Sequence, residues 1–248
     1  MALMPLMPVA LAAGAGACIW ALKPARTVAP VGGIRVPGTR VCIVMFSTPN
    51  IVNEYAGYAA RANLAYARRH GYAFEHVVGN ASTVFPQWEK VRVIRDALRR
   101  HPAVFWIDSD AAFNRHETSL DTWLNLPADI VGCTDVPNGP YSVNTGALLV
   151  KSTPWTHKFM DVWWSMRALG KYQRWAFEQE AFHDLVLTDA MRCVADARVQ
   201  IETAEAFNSS HHEVVLRGRR DTFVLHFMAA PNAFRAAELQ EVCRRVDA

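Results

Sequence analysis

Between residues 40 and 227, short continuous apolar runs alternate with stretches whose apolar positions recur at helical spacing. The run VCIVMFS (41–47) is rich in β-branched side chains and predicts a buried strand. From Val52 the residues Tyr55, Ala59, Ala62 and Tyr66 repeat every three or four positions, so a helix is expected. Arg68, Arg69 and His70 in its last turn and Gly71 after them predict its end. YAFEHVV (72–78) reads as a second strand, and 87–100 as a helix with Val91, Ile94 and Leu98 on one face. A third strand, AVFWI, leads into Asp108; DIVGC, NTGALLV and TFVLHF predict three more. Trp155, Phe159, Val162 and Met166 mark a further helix, and residues 177–187 another. Strands alternating with helices imply an α/β fold with a mixed, mostly parallel sheet flanked by helices in one domain, 40–248.

The chain ahead of that pattern is different in kind. Residues 1–22 carry no charge, and about 20 apolar residues cross a bilayer, so an N-terminal signal or membrane anchor is expected. Pro5, Pro8, Gly14 and Gly16 interrupt a regular helix there, and the small residues before Cys18 suit a cleavage site. Residues 23–39, with three prolines and three glycines and no apolar period, read as a linker. Lys23, Arg26, Arg35 and Arg40 follow the apolar segment, which by the positive-inside rule argues for a cytosolic folded part.

A chain of 248 residues with 51% hydrophobic content can bury a full core. The net charge of +3 is not gathered into a basic run, so no nucleic-acid partner is indicated. Five scattered cysteines without a C-x-x-C pair argue against a zinc site or a dense disulfide framework, leaving room for one bridge. No phosphate-cradling glycine motif and no H-E-x-x-H is present. His183 and Asp184 are adjacent, but neighbours on a helix diverge by about 100°, so a metal phosphohydrolase pair is not supported.

Asp108 and Asp110 follow the apolar strand directly, where ligands bind in open α/β sheets. In extended backbone, residues two apart point the same way, so both carboxylates can converge on one cation while Ser109 faces elsewhere. A loop in which one aspartate caps the next turn is the plain alternative. A haloacid dehalogenase-like phosphatase also carries an apolar strand followed by D-x-D, with Asp108 as nucleophile and Asp110 as acid/base. That motif normally occupies the first strand and has Thr two residues on, where this chain has Ala112.

The segments HGYAFEHV, QWEK, FWIDSDAAF, VNTGALLVKSTPW, EQEAF, AFN and LHF occur in one order from about residue 40 to 227. In that order the chain resembles the nucleotide-sugar transferases of glycosyltransferase family thirty-four, which transfer galactose, mannose or xylose and have a GT-A (Rossmann-like) fold. The resemblance implies a nucleoside diphosphate sugar donor, a UDP-sugar foremost, a glycan acceptor, and Mn²⁺ or Mg²⁺ held by Asp108, Asp110 and His226. Hard cations take carboxylate oxygens, Mn²⁺ also accepts imidazole, and a cation on the diphosphate stabilises its departure. It further implies that Trp88, Lys90, Ser109, Asn144 and Gly146 lie at the donor and that Glu178 and Gln179 lie near the reacting carbon. Taken alone, Trp88 reads as core, Lys90 as a solvated charge, Asn144 and Gly146 as a turn, and Glu178 and Gln179 as exposed.

Such enzymes keep the donor's anomeric configuration and work in the Golgi lumen as type II membrane proteins, the opposite of the charge bias. The expected route is front-face departure and attack, with the Gln179 carbonyl steadying an oxocarbenium-like centre. The family usually follows its metal-binding histidine with a glycine and a basic residue; here Ala229, Ala230 and Pro231 stand there. Phosphate binding then falls to Lys90 or Arg235, or the chain is a degenerate sugar-binding protein.

Overall fold

The computed structural model describes residues 33–83, 85–135, 143–210, 218 and 221–247; the expected anchor, most of the expected linker and Cys18 lie outside them. Among the described residues no helix is long and apolar enough to cross a membrane.

The apolar runs assemble into a seven-stranded sheet in the order β1-β3-β2-β4-β7-β6-β8. Its members are β1 (Gly33–Val36), β2 (Cys42–Ser47), β3 (Ala73–Val78), β4 (Ala103–Ile107), β6 (Ile130–Thr134), β7 (Val143–Lys151) and β8 (Val199–Glu202). β2, β3, β4, β6 and β8 run one way, and β1 and β7 run against them. The sheet is therefore mixed and mostly parallel.

Period-two alternation divides the central strands between two cores. Ile43, Met45, Phe105, Ile107 and Leu149 join a cluster that includes helix α1 (Gly57–His70) and helix α5 (Asn232–Asp247). Cys42, Val44, Val104, Trp106 and Leu148 join the opposite cluster, which includes α2 (Glu89–Leu98), α3 (Pro154–Met166) and α4 (Phe177–Leu187). Local signals set several ends: Gly71 closes α1 in the left-handed conformation at φ 66°. The Thr153 hydroxyl accepts the Thr156 N–H at 3.2 Å, capping α3 ahead of Pro154.

Three features were not anticipated. β1 lies inside the stretch read as linker, paired antiparallel with β3. A Cβ on Gly33 would strike the His76 carbonyl oxygen, so this glycine serves close backbone packing. The late strand is only β10 (Val224–His226) and leaves the main sheet for a second one, β5-β10-β9, with β5 (Ala111–Phe113) and β9 (Asn208–Ser210). Helix α5 then returns to pack on α1 through Leu239, Val242 and Cys243. Cys42, Cys133, Cys193 and Cys243 are buried and form no disulfide among themselves.

Candidate active site

β4 delivers Asp108 to the carboxyl edge of the sheet, and β7 starts beside it in the opposite direction. The Asp108 N–H donates to the Gly146 carbonyl at 2.8 Å, and the Ala111 N–H donates to the Asp108 carbonyl at 3.0 Å, closing a tight turn over Ser109 and Asp110. The second sheet is what brings in the histidine. β10 pairs with β5 so that His226 stands opposite Ala111, and the Phe227 N–H donates to the Asp110 carbonyl at 2.9 Å.

His226 Nε2 consequently lies 3.2 Å from Asp110 Oδ1 and 3.7 Å from Asp108 Oδ2. One ligand atom from each of Asp108, Asp110 and His226 lies within 4.8 Å of the others, a spread that one small cation can draw together. Two hard oxygens and an imidazole suit Mn²⁺, and Mg²⁺ less fully. Asn208 Nδ2 is 3.3 Å from His226 Nδ1, while its own Oδ1 is buried without a hydrogen-bond partner among the described residues. The same Nδ2 donates to Asn144 Oδ1 at 2.9 Å, which fixes the amide beside the ring and ties the imidazole to the start of β7. The residues present therefore fit a divalent cation. Burial works against charge on His226, yet Asp110 and then Asp108 hold its pKa above the ordinary value. Burial likewise raises the Asp110 carboxyl, but His226 and Arg235 outweigh it and keep the carboxyl below its usual range.

A second polar group borders the first. Lys90, in the first turn of α2, is 5% exposed. Its Nζ reaches Glu178 Oε1 at 2.8 Å, Asp108 Oδ1 at 3.2 Å and Thr145 Oγ1 at 3.1 Å. Burial disfavours the ammonium, but the two carboxylates raise its pKa, so Lys90 is charged. One ammonium serves two acids, and burial leaves the Glu178 carboxyl raised despite Lys90. The Trp106 indole N–H adds a 2.7 Å bond to Asp108 Oδ1.

Asn144 and Gln179 meet at a residue the sequence reading did not select. Asp135 accepts from Asn144 Nδ2 at 3.2 Å and from Gln179 Nε2 at 3.0 Å. Gln179 Oε1 takes the Thr145 N–H at 3.1 Å, and Asn144 Oδ1 takes the Gly146 N–H at 2.8 Å. Asp135 directly follows β6, so the strand-end reasoning that marks Asp108 would have marked it too. Thr145 was missed as well, its hydroxyl bonding the Lys90 ammonium.

A cavity of about 250 Å³ is walled by Lys90, Trp106, Asp108, Ser109, Asp110 and Glu178, with Phe46, Ile51 and Gln87 at its other side. Trp88 does not line it: it is buried in the core under α2, its indole N–H donating to the Tyr172 carbonyl at 3.4 Å, the plain reading of that residue. Gly146 does not line it either. A Cβ there would collide with His226, so its contribution is room for the imidazole.

The profile described as the galactosyl transferase GMA12/MNN10 family matches residues 39–130 and 139–235. Galactomannan galactosyltransferase 1 of Cyamopsis tetragonoloba is 32% identical over 139 residues, covering 50% of this chain and 31% of that protein. Xyloglucan 6-xylosyltransferase 4 of Arabidopsis thaliana is 29% identical over 146 residues, covering 53% and 28%. The aligned part thus amounts to less than a third of these relatives. A glycosyltransferase involved in glycosylation of the major capsid of PBCV-1 superposes with a TM-score of 0.66 at 16% identity, covering 81% of this chain and 98% of that one. The fold is that of the GT-A glycosyltransferases.

Proposed function

Because the chain belongs to the galactosyl transferase GMA12/MNN10 family, we propose that its folded part transfers galactose, xylose or mannose from a nucleoside diphosphate sugar, first of all a UDP-sugar, to a glycan with retention of configuration. The observation that carries this is the convergence of Asp108, Asp110 and His226, with the two acids lining a cavity that also holds Lys90 and Glu178. A Mn²⁺ or Mg²⁺ ion held by the three would supply Lewis acidity to the diphosphate.

The chain's own groups do the rest. Lys90 sets a fixed positive charge beside Asp108, and Arg235 reaches the other acid, its Nη2 3.1 Å from Asp110 Oδ2. Both cations can face a diphosphate whose charge grows as the sugar departs. Glu178 is bonded to Lys90, and Gln179 to Thr145 and Asp135. Neither offers an unengaged nucleophile, which favours the front-face route: the acceptor oxygen bonds to the anomeric carbon, the sugar-phosphate bond breaks, and the acceptor's proton passes to the departing phosphate.

The replaced glycine does not weigh against activity. Ala229 keeps φ at 57°, the left-handed conformation glycine favours. The turn persists at a cost of about 1–2 kcal/mol. A phosphatase is not favoured, since the D-x-D follows β4 rather than the first strand and Ala112 stands where that motif has Thr. The lumenal, type II placement is part of the same proposal.

The test is calorimetry of UDP with Mn²⁺ and with chelator. Metal-dependent binding is expected in the wild type and not in Asp108→Asn, which keeps the shape and removes the charge; equal affinity with and without Mn²⁺ sinks the reading.

A further inference from the structure

Glu178 and Gln179 are consecutive in the first turn of α4, and neighbours on a helix point about 100° apart. They therefore face different spaces. Glu178 walls the cavity beside Lys90 and Asp108, whereas Gln179 walls a second cavity of about 470 Å³. That volume is within the usual range of ligand sites, roughly 300–1,000 Å³. The two cavities share no lining residue; Gln179, its amide clamped between the Thr145 N–H and Asp135, lines the second alone.

The wall of the second cavity has an unusual member. Trp175 is 80% exposed, the most exposed large apolar side chain among the described residues, although the chain buries Trp88 and Trp163 fully. Phe177 touches it edge-on, with ring centroids 6.4 Å apart, which leaves the rest of the indole open. A single exposed apolar side chain means little by itself, but an indole at the lip of a cleft offers a flat ring face together with an N–H donor, which suits it to ligand contact. Around it stand hydrogen-bonding groups of every kind: the carboxylates of Asp135 and Glu180, the guanidinium of Arg174 and the ring of His183. A pyranose matches this combination. Its C–H face is apolar and weakly positive, suited to the negative face of an indole, and its hydroxyls both donate and accept.

We propose that this second cleft is the acceptor subsite, with one sugar ring of the acceptor glycan stacked on Trp175 and its hydroxyls held by Asp135, Glu180 and Arg174. Resting on the transferase reading above, the assignment places the acceptor ring on the Gln179 side, with its reacting hydroxyl directed toward the sugar held on the Glu178 side. Asp135 has lone pairs beyond those used by Asn144 and Gln179 to orient the incoming hydroxyl.

The experiment uses the whole chain and two separate readouts. Hydrolysis of UDP-galactose, UDP-xylose and GDP-mannose reports the donor side. Binding of the hexaoses of β-1,4-linked glucose, β-1,4-linked mannose and α-1,6-linked mannose, followed by saturation-transfer NMR without donor, reports the acceptor side. At least one hexaose is expected to bind the wild type, with Trp175→Ala weakening it at least tenfold, Trp175→Phe recovering most of that, and nucleotide-sugar hydrolysis staying within twofold in both variants. Hexaose binding unchanged in Trp175→Ala overturns the subsite, as does a wild type that hydrolyses a donor but binds none of the three. A parallel loss of hydrolysis in Trp175→Ala overturns it too, assigning the residue to the fold or the donor. Absence of both hydrolysis and binding in the wild type overturns the transferase reading itself.

Discussion

A Cβ on Gly146 would run into Cε1 of the His226 ring and come within 2.6 Å of its Nδ1, with Asn144 Oδ1 at 2.9 Å on another side. Backbone cannot yield there, because the Gly146 N–H and carbonyl are both engaged, by Asn144 and Asp108. Gly146→Ala should push the imidazole off the two carboxylates and lower Mn²⁺-supported UDP affinity at least tenfold, about 1.4 kcal/mol. Calorimetry alongside circular dichroism checks this, and undiminished affinity in a folded variant would show that the ring is not needed. The two acids were legible because they directly follow an apolar strand, where an open α/β sheet meets its ligand crevice. Gly146 was legible only as a glycine of interest: the sequence points to a small residue near the sugar, while its neighbour proves to be a ring supplied 80 residues later. Trp88 shows the opposite failure, since a buried indole and a ligand-facing one look alike in a string of letters.

Among the elements, β2 and β3 carry a buried polar pair of their own, one member of which titrates. His76 Nε2 lies 2.8 Å from Ser47 Oγ, and burial depresses the imidazole pKa to about 4. The fold thus favours neutral His76, and the unfolded chain takes up its proton first. Stability from this residue is intact above about pH 6.5 and falls as pH drops toward 4, by about 3 kcal/mol in all. His76→Gln, which retains a partner for Ser47, should flatten the decline of melting temperature between pH 6.5 and 4 relative to wild type; parallel declines would refute the assignment. The principal strands and helices were legible because each is long enough to show its period. The three-residue strands β5, β9 and β10 are too short to alternate, and their pairing is a matter of long-range contact, so the imidazole's delivery route was not. β1 hid for a different reason: prolines and glycines read as looseness, whereas Gly33 is small because the backbone of β3 passes against it.

For the molecule as a whole, the two glycosylation sequons of the sequence, Asn80-Ala81-Ser82 and Asn208-Ser209-Ser210, separate cleanly. Asn80 is exposed in the loop after β3, whereas Asn208 and Ser209 are buried, with Asn208 Nδ2 bonded to Asn144. Expression in a secretory cell should therefore give a single N-glycan, removed by Asn80→Gln and by glycosidase treatment. An unglycosylated product would contradict the lumenal placement, and a second glycan at Asn208 would be incompatible with this packing. The α/β class and the order of motifs were legible at this scale because they survive in local patterns, but the division of the site into two clefts was not. It depends on α4 lying across the start of β7 so that consecutive side chains open onto separate spaces.

β1 runs against β3, with Gly33 opposite Val77 at the end where β4 releases Asp108. The chain therefore enters the domain on the catalytic rim, three strand spacings from β4, roughly 14 Å. The ten residues 23–32 reach at most about 35 Å when fully extended. If residues 1–22 anchor the chain, as the proposed type II placement has it, the enzyme would work on a short leash with its reactive edge turned toward the lipid. Its reach would select acceptors by height above the membrane, so lengthening the leash should widen the set of glycans it can modify without altering a single contact in either cleft.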